Sequence, residues 1–285
     1  MFKIYDLNYK EVNFPVDDLG FGLKSLDINV GPIIYENIYT SSSRADQLVK
    51  RYPKDRDVSI NAMFTAYNTV DWRLKRDRVY SFFRNLGVFY IAESYQPYKL
   101  LKVIVDESYE VDRPVIRWGM LEIPLKIIDT PFKQSLHTTL DIDREGVSWN
   151  DKWAYGMGLS SDREQWKYSF GPSDTSSSVH KFRLYNAGTE EIKLIQQKES
   201  VITLVALSAA SSIEIFDGKK TFRIDRPFKI GDRLTLKGHQ IRVNNANVLH
   251  HTNRTFLTVK KGWNEWQIKG ITNFEFDVDF RFLYD

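Results

Sequence analysis

The sequence contains no cysteine. Disulfides and thiolate metal sites are therefore excluded, because both need sulfur. Histidine is nearly as scarce, with five in 285 residues. His250 and His251 are adjacent, while His137, His180 and His239 are scattered, so no HxH or HExxH spacing arises. The adjacent pair reads as a loop. Long hydrophobic runs are also missing. The longest apolar stretch, Val201–Leu207, is strand-sized, whereas a membrane-spanning helix needs about 18 apolar residues or more. The opening residues, MFKIYDLNYKE, have no continuous apolar core, so no secretory leader is expected. Neither a nucleophile elbow, a P-loop nor a dinucleotide fingerprint occurs. Gly156-Met157-Gly158 lacks the third glycine and the helix start that phosphate binding requires. Asp141-x-Asp143-x-Glu145-Gly146 has the acidic spacing of half a calcium loop, but Lys152 stands where the closing acid is needed. No metal, cofactor or catalytic constellation is expected, and the chain reads as non-enzymatic.

Charge of one sign is also modest. The net charge is +3 and the isoelectric point is near 8.8, short of the basic footprint of a nucleic-acid binder. Nucleic acid and membrane are therefore not expected partners.

What is present is aromatic and β-prone. The 18 Phe, 15 Tyr and 7 Trp suit half-buried pleated surfaces and subunit interfaces. Asp57–Phe132 organises the first half. Asp57–Thr65 alternates Val58, Ile60, Ala62 and Phe64 against Ser59, Asn61 and Thr65, which predicts a half-buried strand. Asn68 offers an N-cap, Asp71 puts negative charge in the first turn, and Gly87 supplies a C-terminal stop. Between them, Trp72, Val79, Phe83 and Leu86 form a helical seam widened by Leu74 and Phe82. Arg73, Lys75, Arg76, Asp77, Arg78 and Arg84 cover the rest. That basic face reads as solvated, with docking onto an acidic partner as the alternative. Strands are expected at Val88–Tyr90, Lys99–Val105 and Ile116–Ile128, stopped by Asp129-Thr130-Pro131. Upstream, strands are expected at Lys3–Tyr5, Val12–Phe14, Leu23–Val30 and Ile33–Tyr39. Ser41–Arg56 is polar and charged and reads as an exposed loop, or an arm that could embrace a neighbouring subunit.

Residues 133–178, which include Asp141–Gly146, read as irregular, and from His180 to the end the sequence predicts short strands and no helix. Val201–Leu207, Gln240–Val243 and Glu265–Lys269 are examples, and Asp217-Gly218 reads as a type I′ hairpin turn. The fold is thus expected to be mainly β. Residues 1–132 form a β-sandwich-like domain with one α-helix at about 69–86, and residues 133–285 form a jelly-roll-like β-sandwich. Trp149, Trp153, Trp166 and Trp263 fall outside plain strand phase. They are candidates for a glycan-contacting platform, with core packing or an intersubunit contact as the other reading. Trp266 alternates with Ile268 and reads as core.

The C-terminal strands carry a resemblance. FLTVKKGWNEWQIKG (256–270) followed by FDVDFRFLY (276–284) resembles the end of the distal tail proteins (Dit) of phages with long non-contractile tails. Tyr185-Asn186-Ala187-Gly188-Thr189 resembles the hairpin that opens their second domain, and Asp57–Phe132 looks like their N-terminal module. Ser41–Val49, rich in Ser and charge, departs from the Gly-rich stretch common there. The resemblance implies a hexameric ring at the tail tip, contacting a tail tube protein and a tail-associated, lysin-like protein. It also implies an outward C-terminal domain, galectin-like or carbohydrate-binding-module-like, that holds receptor-binding protein. A virion location after synthesis in the host bacterial cytoplasm follows. The alternative reading is a carbohydrate-binding module for host surface glycan.

Overall fold

A computed structural model describes residues 1–15, 22–41, 46–146, 153, 156–159, 165–171 and 179–285. The chain divides into two units, Met1–Leu136 with Asp285, and His137–Tyr284; sequence reading drew the division after residue 132.

Unit 1 contains β1 (Phe2–Tyr5), β2 (Glu11–Val12), β3 (Leu23–Val30), β4 (Ile34–Ser41), β5 (Asp46–Asp55), β6 (Val58–Thr65), α1 (Thr69–Leu86), β7 (Val88–Glu93), β8 (Lys99–Ile104), β9 (Val111–Asp112), β10 (Trp118–Ile127) and β11 (Lys133–Ser135). Seven strands form the main path of an antiparallel sheet in the order β2-β1-β7-β8-β10-β6-β3, with β9 paired to β10 and β11 to β8. In β6 the burial alternates as its sequence does, with Val58, Ile60, Ala62 and Phe64 inside. The β6–β10 register runs from Trp118 opposite Thr65 to Leu125 opposite Val58, which aligns the buried sets of both strands. Gly119 faces Phe64, and a Cβ there would lie 2.3 Å from the Phe64 ring.

Helix α1 covers the apolar face of this sheet. Asn68 Oδ1 accepts from the N–H groups of Val70 and Asp71 at 2.9 and 3.0 Å, satisfying two donors that have no partner within the helix. Trp72, Val79 and Phe83 are buried, each removal from water worth about 1.5–3 kcal/mol. Trp72 meets Phe64 at 5.8 Å and Phe83 meets Phe89 at 6.4 Å. Two positions differ from the sequence expectation. Leu74 is 56% exposed, because the 72–79–83 stripe leaves it on the far side. Lys75 lies on that stripe and is buried: its ammonium donates to Thr65 O at 3.0 Å and pairs with Asp71 at 3.1 Å.

The largest difference lies between residues 41 and 56. Sequence reading favoured a loop there, but β5 pairs with β4 over most of its length, as a two-stranded sheet of its own. A hairpin exposed on both sides shows no alternation, so its sequence carries no strand period.

Unit 2 contains α2 (Thr139–Glu145), β12 (Lys167–Phe170), β13 (Val179–Asn186), β14 (Ile192–Lys193), β15 (Val201–Ala206), β16 (Ile213–Phe216), β17 (Thr221–Ile224), β18 (Arg233–Lys237), β19 (Gln240–Val243), β20 (Ala246–Asn247), β21 (Thr258–Val259), β22 (Gly262–Lys269) and β23 (Phe274–Asp279). One sheet runs β12-β23-β15-β18-β19-β20 and another β13-β22-β16-β17. Their inner faces meet through rings: Phe182 lies 5.1 Å from Phe276, and His180 5.1 Å from Phe274. This is a β-sandwich.

Two expectations are corrected in this unit. Asp141–Glu145, read as irregular, is helical. Thr138 N–H donates to Asp141 Oδ2 at 2.9 Å, so that carboxylate closes a helix N-terminus. The buried Thr139 hydroxyl fixes α2 to β23, donating to Val278 O at 2.9 Å and accepting from Phe280 N at 3.1 Å. The Asp217 turn is not a two-residue type I′ turn. Phe216 pairs with Thr221, leaving four loop residues, and the Asp217 carboxylate accepts from Lys219 N and Lys220 N at 2.8 and 2.7 Å.

Candidate interaction surfaces

No three His, Asp or Glu side chains among the described residues could hold a metal ion. Among them, too, no helix is long and apolar enough to cross a membrane. The surfaces that stand out are built for contact.

The first is the β4–β5 hairpin. Ile34, Ile38, Tyr39, Leu48 and Val49 are all exposed. An isolated two-stranded hairpin is marginal in water. Here Arg51 lies over the Tyr35 ring at 4.0 Å, Lys54 pairs with Glu36 at 3.4 Å, and Ser41 bonds Asp46 at 2.8 Å. A hydrogen bond from Tyr52 holds the Glu36 carboxyl below its ordinary pKa, helped by Lys54. The base is clamped by Gly31 N–H donating to Asp57 O at 2.8 Å and by Arg56 Nε donating to Gly31 O at 2.9 Å. A Cβ at Gly31 would sit 3.1 Å from Asp57 O, so this close approach favours glycine. Desolvation lowers the pKa of the buried Arg56.

Beside that base is a cleft of about 710 Å³, bordered by Asp55, Asp57, Asp106 and Glu107 together with Arg56 and Lys126. Lys126 is already paired with Asp106 at 3.1 Å, and Arg56 turns to Gly31. Asp57 and Glu107 are exposed and have no ion-pair partner among the described residues.

At the other end of β6 and β10 the character reverses. Val70, Leu74, Val115 and Ile116 are 69%, 56%, 51% and 67% exposed. Arg113 joins the two segments that carry them, donating to Ile116 O at 2.7 Å and to Thr69 Oγ1 at 2.9 Å. Arg117 lies 5.8 Å from the exposed Tyr67 ring, and Arg73 is exposed on the helix. An apolar centre with a basic rim has the composition of a protein-docking patch.

Two of the four tryptophans read as candidates for a glycan platform take the other reading, core packing. Trp153 and Trp166 are 1% and 0% exposed. Trp166 donates Nε1–H to Tyr185 O at 2.8 Å, and both rings pack on Phe282. Their faces are spent on the core. Trp149 lies outside the described residues. Of the three described, Trp263 is the accessible one, at 45%. It sits on the outer face of β22 with the Arg183 guanidinium 4.3 Å above its ring and the Tyr185 ring 4.9 Å away. As site residues Tyr185 and Arg183 escaped the sequence reading, although they hold the outward phase of β13, alternating with Phe182 and Leu184. Within unit 2, Asp143 accepts from Trp166 N at 3.0 Å. Burial pushes its carboxyl up to about 6, with Asp277 adding to the rise.

A sheet carrying one helix and a bare hairpin, joined to a β-sandwich, is a fold also found in a solved phage distal tail protein. One such structure is the crystal structure of the Dit protein of phage SPP1, described as a paradigm of the hub adsorption apparatus in phages infecting Gram-positive bacteria. The TM-score is 0.66 at 10% identity, over 99% of this chain and 100% of that one. Structures of the phage p2 baseplate in its activated conformation, with strontium and with calcium, align at a TM-score of 0.42 and 10% identity, over 98% of this chain and 97% of theirs. No protein-family model matches the sequence, and no curated protein sequence is significantly similar to it.

Proposed function

We propose that this chain is a structural virion protein, the hub at the distal end of the tail of a phage with a long non-contractile tail. The observation that carries the reading is the end-to-end likeness of fold to the SPP1 hub protein. In this reading six copies close into a ring through unit 1. The ring meets the tail tube protein on one side and a tail-associated, lysin-like protein on the other. Unit 2, as a galectin-like domain, anchors receptor-binding protein. The chain is made in the host bacterial cytoplasm and ends at the tail tip, and its role is assembly, not catalysis. The free-standing hairpin and the two charged surfaces of unit 1 support this, since a ring needs two different faces on each subunit. Negative-stain electron microscopy of the purified protein tests it: closed sixfold rings are expected, and compact single chains at high concentration would count against it.

A second reading rests on Trp263, whose exposed ring beside Tyr185 suits stacking on a sugar. Calorimetry with host cell-wall polymer tests it. Saturable binding lost in Trp263→Ala supports a glycan contact, and binding unaffected by that change removes it.

A further inference from the structure

We infer that unit 1 docks head to tail onto a second copy of this chain, with the basic, apolar surface at the start of α1 entering the acidic cleft at the hairpin base of the next copy. The inference rests on the ring reading and adds which two faces meet.

Both surfaces are carried by the same two strands. The acidic cleft borders the Val58 end of β6 and the Leu125 end of β10. The basic patch lies beyond the Thr65 and Trp118 ends, since Ala66 N–H donates to Arg117 O at 2.7 Å and Trp72 Nε1–H to Trp118 O at 2.9 Å. Across β6 the two ends are about 23 Å apart. One copy therefore cannot satisfy its own patch with its own cleft, whereas a neighbour in head-to-tail order can. The charges match in kind. Asp57 and Glu107 lack ion-pair partners among the described residues, and so does Arg73; Arg117 has only the Tyr67 ring. The cleft also has half-buried apolar walls at Ile28 and Val30, which suit Val115 and Ile116. A volume of about 710 Å³ admits a loop of a few side chains. Patches that differ in sign on one subunit give a heterologous interface, which closes into a ring when the rotation per subunit divides a full turn. Opposite charge also sets register and discourages pairing of like faces.

Charge exchange tests this. One variant carries Arg73→Glu and Arg117→Glu, and a second carries Asp57→Lys and Glu107→Lys; the Asp57 and Arg117 contacts to Gly31 and Ala66 run through backbone oxygens that substitution keeps. Sedimentation velocity measures assembly of each, with circular dichroism confirming folding. Each variant alone is expected to self-associate roughly a hundredfold more weakly than wild type. A mixture of the two is expected to recover, because an acidic patch then meets a basic cleft and the reverse. The fourfold variant is expected to recover on its own, so a variant that failed to fold would not mimic the result. Wild-type assembly that both exchanges leave unchanged overturns the inference while the ring reading stands. Loss in either variant without recovery in the mixture and the fourfold variant also overturns it. A wild-type chain that remains single at every concentration overturns both.

Discussion

Asp217→Asn is a severe test of how unit 2 is held together. Asp217 is 2% exposed and terminates β16. One carboxylate oxygen accepts from Lys219 N at 2.8 Å and Lys220 N at 2.7 Å, shaping the turn. The other accepts from Thr258 N at 2.9 Å and Thr258 Oγ1 at 3.3 Å, tying that turn to β21. Asparagine keeps the first oxygen and both turn bonds. At the second position it places an N–H₂ donor against the Thr258 N–H, leaving a buried donor unpaired at about 1–3 kcal/mol. Loss of the charge that strengthens the remaining bonds adds to this, so the expected destabilisation is about 2–3 kcal/mol. Asp217→Ala strands three N–H groups and should cost about 4–5 kcal/mol by the same reasoning. Urea unfolding followed by tryptophan fluorescence measures both. Asp225→Asn is the control. That carboxylate is 56% exposed and pairs with Arg223 at 2.7 Å, so the change should stay within about 0.5 kcal/mol. A loss below about 0.5 kcal/mol for Asp217→Asn would refute the claim that this carboxylate joins turn and strand.

Further outcomes follow from the same geometry. Trp166→Ala should destabilise unit 2 by about 3–5 kcal/mol, whereas Trp263→Ala should cost under about 1 kcal/mol, read as midpoints in denaturant; similar losses would contradict the assignment of one ring to the core and the other to the surface. Gly119→Ala forces a methyl onto the Phe64 ring and should cost about 1–3 kcal/mol in unit 1, measured the same way. For Asp143, the folded value of about 6 lies above the roughly 3.9 of a free aspartate. The fold therefore prefers the protonated form, and the stability it contributes is full below about pH 4 and is lost as pH rises through 6. Asp143→Asn should gain in melting temperature over wild type between pH 4 and pH 7, and a difference that stays constant over that range would sink the reasoning.

The regular parts of unit 1 were legible because one face of each element is wet. Leu23–Val30 and the β6 alternation stand out in the sequence for that reason, and Asn68 and Gly87 mark both ends of α1. Lys75 was misread because a charged residue on an apolar stripe gives no sign that a carbonyl and a carboxylate await it. Helix α2 is seven residues long and buries only Thr139 and Ile142, too little for a helical period to show. The β4–β5 hairpin packs on no core, so neither face selects apolar residues. Trp153 and Trp166 lie in segments without periodicity, where a ring bound for the core cannot be told from one bound for a ligand. The cleft carboxylates come from two separate segments, at residues 55–57 and 106–107, and only the fold brings them together. Among the proposed contact residues, the outward phase of β13 could have flagged Arg183 and Tyr185.

The most direct measurement is the solution mass of the intact chain compared with a variant in which Ile34–Asp55 is replaced by a short glycine turn. If the molecule is made for self-contact, the intact chain gives one discrete species with the mass of six chains, and the shortened chain, still folded, falls to the mass of one. An intact chain with the mass of a single copy across the accessible concentration range would contradict the account.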